Sequence, residues 1–403
     1  MELKFPKGFL WGAATSAHQV EGGNNNDWTE WEKENAGRLA REAKNRWQPW
    51  QQEKFPEMLR PENYVSGRAC GHYNLFREDF DLAKSLGHSA YRLSLEWSRI
   101  EPEEGKFNEE EIEHYRQVLS ALKERGLEPF VTLWHWTNPL WFSRLGGWRN
   151  LKAEKYFQRY CRKITKAFGN LARFYITLNE PDIYIMNSYQ RGIWPPQKRN
   201  FGLVKVVLRN LVRAHKLAYE AIHESAAGAQ AGIAKNNVYF SGWPLSFLAD
   251  FLWNHQILIR IRNHQDFIGL NYYFHRHFSK NEDKEITDMG WEIYPEGIYR
   301  VLKGLKKYGK PVYVTENGLA DAEDGKRKDF IKNHLIWIHK AIQEGVDVRG
   351  YFHWSLLDNF EWDKGFWPRF GLFEVNYQTL ERRKRPSADY YASICQNNGL
   401  ENS

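Results

Sequence analysis

Val312-Tyr-Val-Thr-Glu-Asn-Gly-Leu319 is a short β-branched and aromatic run that stops on an acid. Val312 to Thr315 have the pattern of a buried strand. Asn317-Gly318 is a turn pair that must carry the chain off the strand end. A carboxylate placed there, Glu316, is costly to bury without a partner or a task. Phe174-Tyr-Ile-Thr-Leu-Asn-Glu-Pro181 repeats the construction, with Glu180 as the acid and a proline closing the strand. Taken alone, either stretch fits an unrelated surface glutamate after a strand. Together they supply what double displacement at a glycosidic bond requires. One carboxylate attacks the sugar carbon; the other protonates the departing oxygen and later activates water.

Around these two stretches the sequence alternates regularly. Strands are predicted over 9–15, 90–95, 127–134, 174–178, 231–238, 266–272, 311–315 and 349–353. Helices are predicted over 73–86, 109–125, 152–168, 204–227, 247–262, 295–308, 328–344 and 387–396. The segment 27–71, carrying Trp28, Trp31, Trp47 and Trp50, is expected to be an elaborated rim loop, partly helical over 30–44. Eight strands each followed by helical sequence, with no linker and no second composition, argue an α/β fold. The expected form is a single (β/α)8 TIM barrel, one catalytic domain spanning 1–403. A doubly wound sheet would want a Gly-rich phosphate fingerprint after the first strand, and the sequence has none there.

In such a barrel the site lies at the C-terminal ends of the strands. Those ends carry Gln19, Arg92, Glu96, His135, Trp136, Asn179, Glu180, Asn271, Tyr273, Glu316 and Trp354, with Glu361 and Trp362 in the loop beyond. The set is polar, aromatic and rich in carboxylates. Hydroxyl-rich ligands need such a surface: donors and acceptors for O–H groups and indoles for ring faces.

Composition narrows the alternatives. The chain has 403 residues, 42% hydrophobic and 27% charged, as ordinary globular proteins have. Its 18 Trp suit either core filling or sugar stacking. The net charge of +7 comes from clusters such as Arg382-Arg-Lys-Arg385 that lack interleaved aromatics, so nucleic acid is not an expected partner. Cys70, Cys161 and Cys395 have neither disulfide nor metal spacing. His275-Arg-His277 has no third ligand at a useful spacing, and neither metal nor cofactor is expected. With no leader and no apolar run of ~18 residues, a cytoplasmic protein without membrane contact is expected.

Thr177-Leu-Asn-Glu-Pro181 and Val314-Thr-Glu-Asn-Gly318 resemble the two active-site motifs of glycoside hydrolase family 1, the β-glucosidase family. Phe9 to Gly22 is similar to the family's opening strand, and Tyr91 to Ile100 to its second. Tyr351 to Trp362 and Arg369-Phe-Gly-Leu372 resemble its sugar-recognition segment. The resemblance implies a retaining exo-β-glycosidase acting on β-glucosides and β-galactosides. Glu316 would be the nucleophile and Glu180 the acid/base. Gln19, His135, Glu361 and Trp362 would hold sugar hydroxyls, Asn179 the 2-hydroxyl, and Trp354 would floor the subsite. Trp136, Asn271, Tyr273 and Phe370 would complete the substrate-binding set, and Arg92 and Tyr273 would contact Glu316. A guanidinium beside a carboxylate keeps it ionised, as a nucleophile requires. The expected partners are small β-glycosides or oligosaccharides.

Two alternatives come with the resemblance. A catalytically inactive sugar-binding protein of the same fold would be expected to have lost one acid, and both are present. A 6-phospho-β-glycosidase would carry a serine and basic residues near the eighth-strand loop, where Phe360-Glu-Trp-Asp-Lys364 instead keeps an acid. Two departures from the family pattern also stand. Gly71 occupies a place usually held by aspartate, with a structural effect expected. The segment between the fifth and sixth strands, 238–266, is short. Its residues 243–253 are expected to form one packed helix, leaving the leaving-group side open, mobile and weakly selective.

Overall fold

The computed structural model describes residues 2–242, 245–278 and 284–401. Eight parallel strands close into a barrel in chain order: β1 (Leu10–Ala14), β2 (Ala90–Ser94), β3 (Glu128–Thr132), β4 (Phe174–Asn179), β5 (Gln230–Ser241), β6 (Ile268–His277), β7 (Val312–Asn317) and β8 (Val348–Trp354). β1 and β8 pair to complete the circle. Each expected strand forms; β5 and β6 run several residues further than their apolar stretches suggest, pairing with each other out to Ser241 and His277.

The joining helices form where sequence period and caps agree. Ala153–Phe168 buries Phe157, Tyr160, Cys161, Ile164 and Phe168, one face of a 3.6-residue repeat. Asn108 accepts from the amides of Glu110 and Glu111 and so starts the helix Glu109–Glu124. Inside the barrel, aromatic side chains plug the end where the strands start. Phe130 stacks on Phe174 with ring centres 4.2 Å apart and lies 4.8 Å from Phe352 and 5.0 Å from Tyr313.

Two expectations are corrected. The segment 27–71 is not chiefly loop: Asn26 and Thr29 form a reciprocal cap, and the helix Asp27–Arg46 follows. The helix Pro49–Lys54 and two 3-10 turns, Pro56–Leu59 and Pro61–Tyr64, come next. The cap pair Asn26…Thr29 was the missed signal. Between β5 and β6 no single packed helix forms. The short helix Leu245–Asp250 buries none of its residues; a π turn Phe251–His255 leads into Gln256–Ile261, which packs through Ile257, Leu258 and Ile261. Trp243 and Pro244, part of the stretch expected to supply that packing, lie outside the described residues. Gly71 takes a left-handed conformation (φ +66°) ahead of the helix His72–Ser85, and a Cβ there would come 2.7 Å from Leu380. Substituting it would therefore strain the start of that helix.

Candidate active site

Both motif glutamates arrive at the same end of the barrel because their strands do. The ladder shifts register between Ile176 and Asn179, between Leu270 and Asn271, and between Val314 and Asn317. Such bulges re-aim side chains at barrel rims. Gly318 is required where β7 ends: a Cβ there would sit 1.7 Å from the Trp354 carbonyl oxygen. Glu180, Trp136 and Trp362 hold left-handed backbones (φ +41°, +75° and +52°), which only a well-determined surrounding sustains in non-glycine residues.

Glu316 is gripped at both oxygens. Arg92 Nη1 donates to Oε1, and the Tyr273 hydroxyl donates to Oε2 at 2.8 Å. Arg92, fully buried, also donates to the Thr315 carbonyl (3.1 Å) and to Asn179 Oδ1 (2.6 Å). Burial, reinforced by the negative charges of Glu316 and Glu180, holds the Tyr273 phenol well above its ordinary value, so it stays a donor.

Glu180 sits in the opposite electrostatic setting. Burial pushes its carboxyl up to about 8, with Glu316 and then Asp182 adding to the rise, against hydrogen bonds from Asn271 and Asn236. Asn271 Nδ2 donates to Glu180 Oε1 at 2.8 Å and Asn236 Nδ2 to the same oxygen at 3.1 Å. Asn271 is itself fixed, since its Oδ1 accepts from Thr315 Oγ1 at 2.7 Å.

These acids face a cavity of about 390 Å³, lined also by Gln19, His135, Trp136, Tyr273, Trp354, Glu361, Trp362 and Phe370. A larger depression of about 740 Å³ lies at the strand starts, beside Lys7, Arg173 and Asp347. It has no pair of strand-end acids, and chemistry outweighs size in choosing between them. Gln19 stands on a short turn of helix after β1, not on the strand end itself. Its amide donates to Asn359 Oδ1 (2.9 Å), the Phe360 carbonyl (2.8 Å) and Glu361 Oε2 (3.1 Å), tying the first and last βα connections together. Burial raises Glu361 to about 8 against the pull of Lys364. Burial, with Arg92 adding, keeps His135 well below its ordinary value and therefore neutral. Its Nε2 meets Asn179 Nδ2 at 2.9 Å, while Nδ1 has no protein partner.

Arg92, Asn179 and Asn271 lie behind this wall, all three fully buried. Glu96 does not reach the cavity: it caps the turn after β2, accepting from Ser98 Oγ (2.7 Å) and Thr137 Oγ1 (3.0 Å). His275 contacts Ser241 Oγ and Glu292. Trp136, Trp194 and Trp362 of the lining pack as tilted rings, Trp136 4.6 Å from Trp194 and 4.8 Å from Trp362, and Trp28 packs behind Trp362 at 4.6 Å. Sequence reasoning missed the contribution of β5. Asn236, beside Glu180, lies in Lys235-Asn-Asn237, a polar break in an apolar strand. The strand-end rule, extended to β5, would have found it.

A (β/α)8 barrel presenting two such carboxylates above an indole-lined cavity defines a glycoside hydrolase. A family model described as glycosyl hydrolase family 1 matches residues 1–246 and 253–400. The chain belongs to that family, whose members are retaining β-glycosidases. β-Glucosidase A of Thermotoga maritima is 35% identical to it over 462 aligned residues, covering 99% of each chain. Among solved structures, a β-glycosidase from Pyrococcus horikoshii superposes with TM-score 0.88 at 39% identity, covering 100% of this chain and 97% of the other. The T. maritima β-glucosidase in complex with a galacto-hydroximolactam superposes with TM-score 0.85 at 33% identity, covering 99% and 100%.

Proposed function

We propose that Glu316 attacks the anomeric carbon and that Glu180 serves as acid and then base. The observation that carries this assignment is the contrast between the two. Glu316 has each oxygen held by a donor, as an ionised nucleophile needs, while Glu180 is buried with its carboxyl raised to about 8. Both amide donors to Glu180 fall on Oε1, which leaves Oε2 to carry the acidic proton. Once Glu316 is esterified its charge disappears, the push on Glu180 falls, and the same residue accepts a proton from water.

Gln19, His135, Glu361 and Trp362 bind the hydroxyls of the reacting sugar, Trp354 floors it, and Trp136 and Phe370 flank it. Asn179 reaches the 2-hydroxyl from behind the wall, with Asn271 locking its orientation. The substrates are β-glucosides and β-galactosides, as monosaccharide conjugates or oligosaccharides, cleaved from the non-reducing end. A relative solved with a galacto-configured ligand supports the second sugar. Phosphorylated sugars are disfavoured because Lys364 and Arg46, two cations of the cavity lining, are both tied to Asp363, and Lys364 also faces the acid Glu361. We read the chain as one catalytic domain in a cytoplasmic, reducing setting. Three free cysteines support that reading, and no helix among the described residues is long and apolar enough to cross a membrane. A panel of nitrophenyl β-glycosides, phosphorylated and not, followed by NMR of the first-formed sugar, tests the proposal. The β-anomer from both glucoside and galactoside is expected; an α-anomer would overturn the assignment.

A further inference from the structure

His275 plays no part in the cavity, yet both of its ring nitrogens are engaged. Past Asn237 the strands β5 and β6 continue paired, with Tyr239 opposite His275 and Ser241 opposite His277. Side chains alternate between the two faces of such a pair. Val238, Phe240, Phe274 and Arg276 line the cavity, so Tyr239, Ser241 and His275 point to the other face.

On that outer face three groups stand in line. Ser241 Oγ lies 2.6 Å from His275 Nε2, and His275 Nδ1 lies 3.0 Å from Glu292 Oε2. Glu292 sits where the chain after β6 folds back and pairs with Ile286, and Lys284 Nζ donates to the same carboxylate at 2.8 Å. A carboxylate paired with a cation only accepts, so Nδ1 carries the imidazole proton. Nε2 therefore turns its lone pair toward the Ser241 hydroxyl. The ring is stacked on Tyr294 and Tyr239, with centres 4.0 and 5.2 Å away, which fixes its plane. Burial lowers the imidazole from its ordinary value, with Glu292 opposing and Lys284 and His277 adding, so it is neutral and able to accept a proton. Ser241 itself is half-buried, and Gly242 after it holds a left-handed backbone (φ +96°). A hydroxyl, a base within hydrogen-bond reach and an acid orienting that base are the parts of acyl transfer.

We propose that Ser241, His275 and Glu292 form a second catalytic centre, one that hydrolyses esters of short carboxylic acids. Ser241 Oγ bonds to the acyl carbon while its proton passes to His275 Nε2. The bond from that carbon to the alcohol oxygen breaks, and the proton leaves with the alcohol. Water then attacks the acyl-serine and gives a proton to His275; the carboxylic acid departs and the proton returns to Ser241. The amide of Gly242, next in the chain after the nucleophile, stands where such sites hold the oxyanion. Phe278 packs against Gly242, where a Cβ would lie 3.2 Å from its own, and this limits the acyl group to a short one. Glu292 is a positioning residue, acting through His275.

The test uses the whole chain with nitrophenyl acetate and with a dialkyl nitrophenyl phosphate, which labels activated serines covalently. The wild type should turn over the ester and take one dialkylphosphoryl group, mapped by mass spectrometry to Ser241. Ser241→Ala should lose both, and His275→Gln should lower ester kcat/KM by ~100-fold or more, the scale of general-base catalysis. Glu292→Gln should move the acid limb of ester turnover to lower pH, because its charge raises His275; a brace for the strands would leave that limb in place. Turnover of nitrophenyl β-glucoside, which none of the three residues serves, reports whether each variant has folded. A wild type that takes no label at Ser241, an unmoved limb, or ester turnover that Ser241→Ala or His275→Gln retains, overturns the proposal.

Discussion

Lys235 Nζ, fully buried, lies 2.9 Å from Asp182 Oδ2, a largely buried carboxylate two residues beyond Glu180. The same ammonium donates to the Asn236 carbonyl at 2.6 Å. Asp182 is one of the charges that raise Glu180, after burial and Glu316. Glu180 must be protonated to act as an acid, so kcat/KM on poorly activated glycosides should fall as pH rises through about 8. Removing the Asp182 charge with Asp182→Asn should move that limb to lower pH. An unmoved limb would show that Asp182 does not act on Glu180. Lys235→Met leaves Asp182 buried without its cation and should lose ~3–5 kcal/mol of stability, read from urea unfolding.

The two acids separate by rescue chemistry. Glu316→Ala should abolish turnover of every substrate, with azide restoring some activity as the α-glycosyl azide. Glu180→Ala should spare activated leaving groups most and give the β-glycosyl azide. The same anomer from both variants would mean the roles are misassigned.

Under the proposed assignment, sugar choice turns on Glu361. Its carboxyl, held by Gln19, can follow an axial or an equatorial 4-hydroxyl with little movement. Glucosides and galactosides should therefore be cleaved within ~100-fold of each other, one displaced hydrogen bond being worth ~1–3 kcal/mol. Glu361→Ala should lower kcat/KM for both sugars, and a loss confined to one would place its contact at C4 alone.

The aromatic plug carries stability and not chemistry. Phe130→Ala, by opening a cavity among Phe174, Tyr313 and Phe352, should cost ~3–5 kcal/mol in unfolding free energy. Km for nitrophenyl glucoside should hold at its wild-type value; a rise would show that the plug supports the subsite.

Eight strands were legible because each is a short apolar run ended by Gly, Pro or a polar cluster, and both acids were legible because they end such runs. The remainder depended on contacts between distant parts of the chain. Gln19 reaches Glu361 across the seam that joins β1 to β8, which no local pattern announces. Asn236 differs: the polar break Lys235-Asn-Asn237 is visible in the sequence, and only its placement beside Glu180 comes from the fold. Glu96 looked like a site residue by position alone, yet its oxygens serve Ser98 and Thr137. The helix Leu245–Asp250 had the composition of packed sequence, and only the fold shows that none of its residues is buried among the described residues.

The plug of Phe130, Phe174, Tyr313 and Phe352 closes the barrel where the strands start, so under the proposed mechanism sugar, alcohol and water share the mouth at the strand ends. The departing alcohol must leave by the route along which water arrives, so the glycosyl-enzyme waits while the two exchange places. An alcohol slow to clear the mouth can be returned to the sugar by the base that would otherwise have activated water. The lifetime of the ester, set against the time the alcohol takes to clear, then fixes the ratio of transfer to hydrolysis.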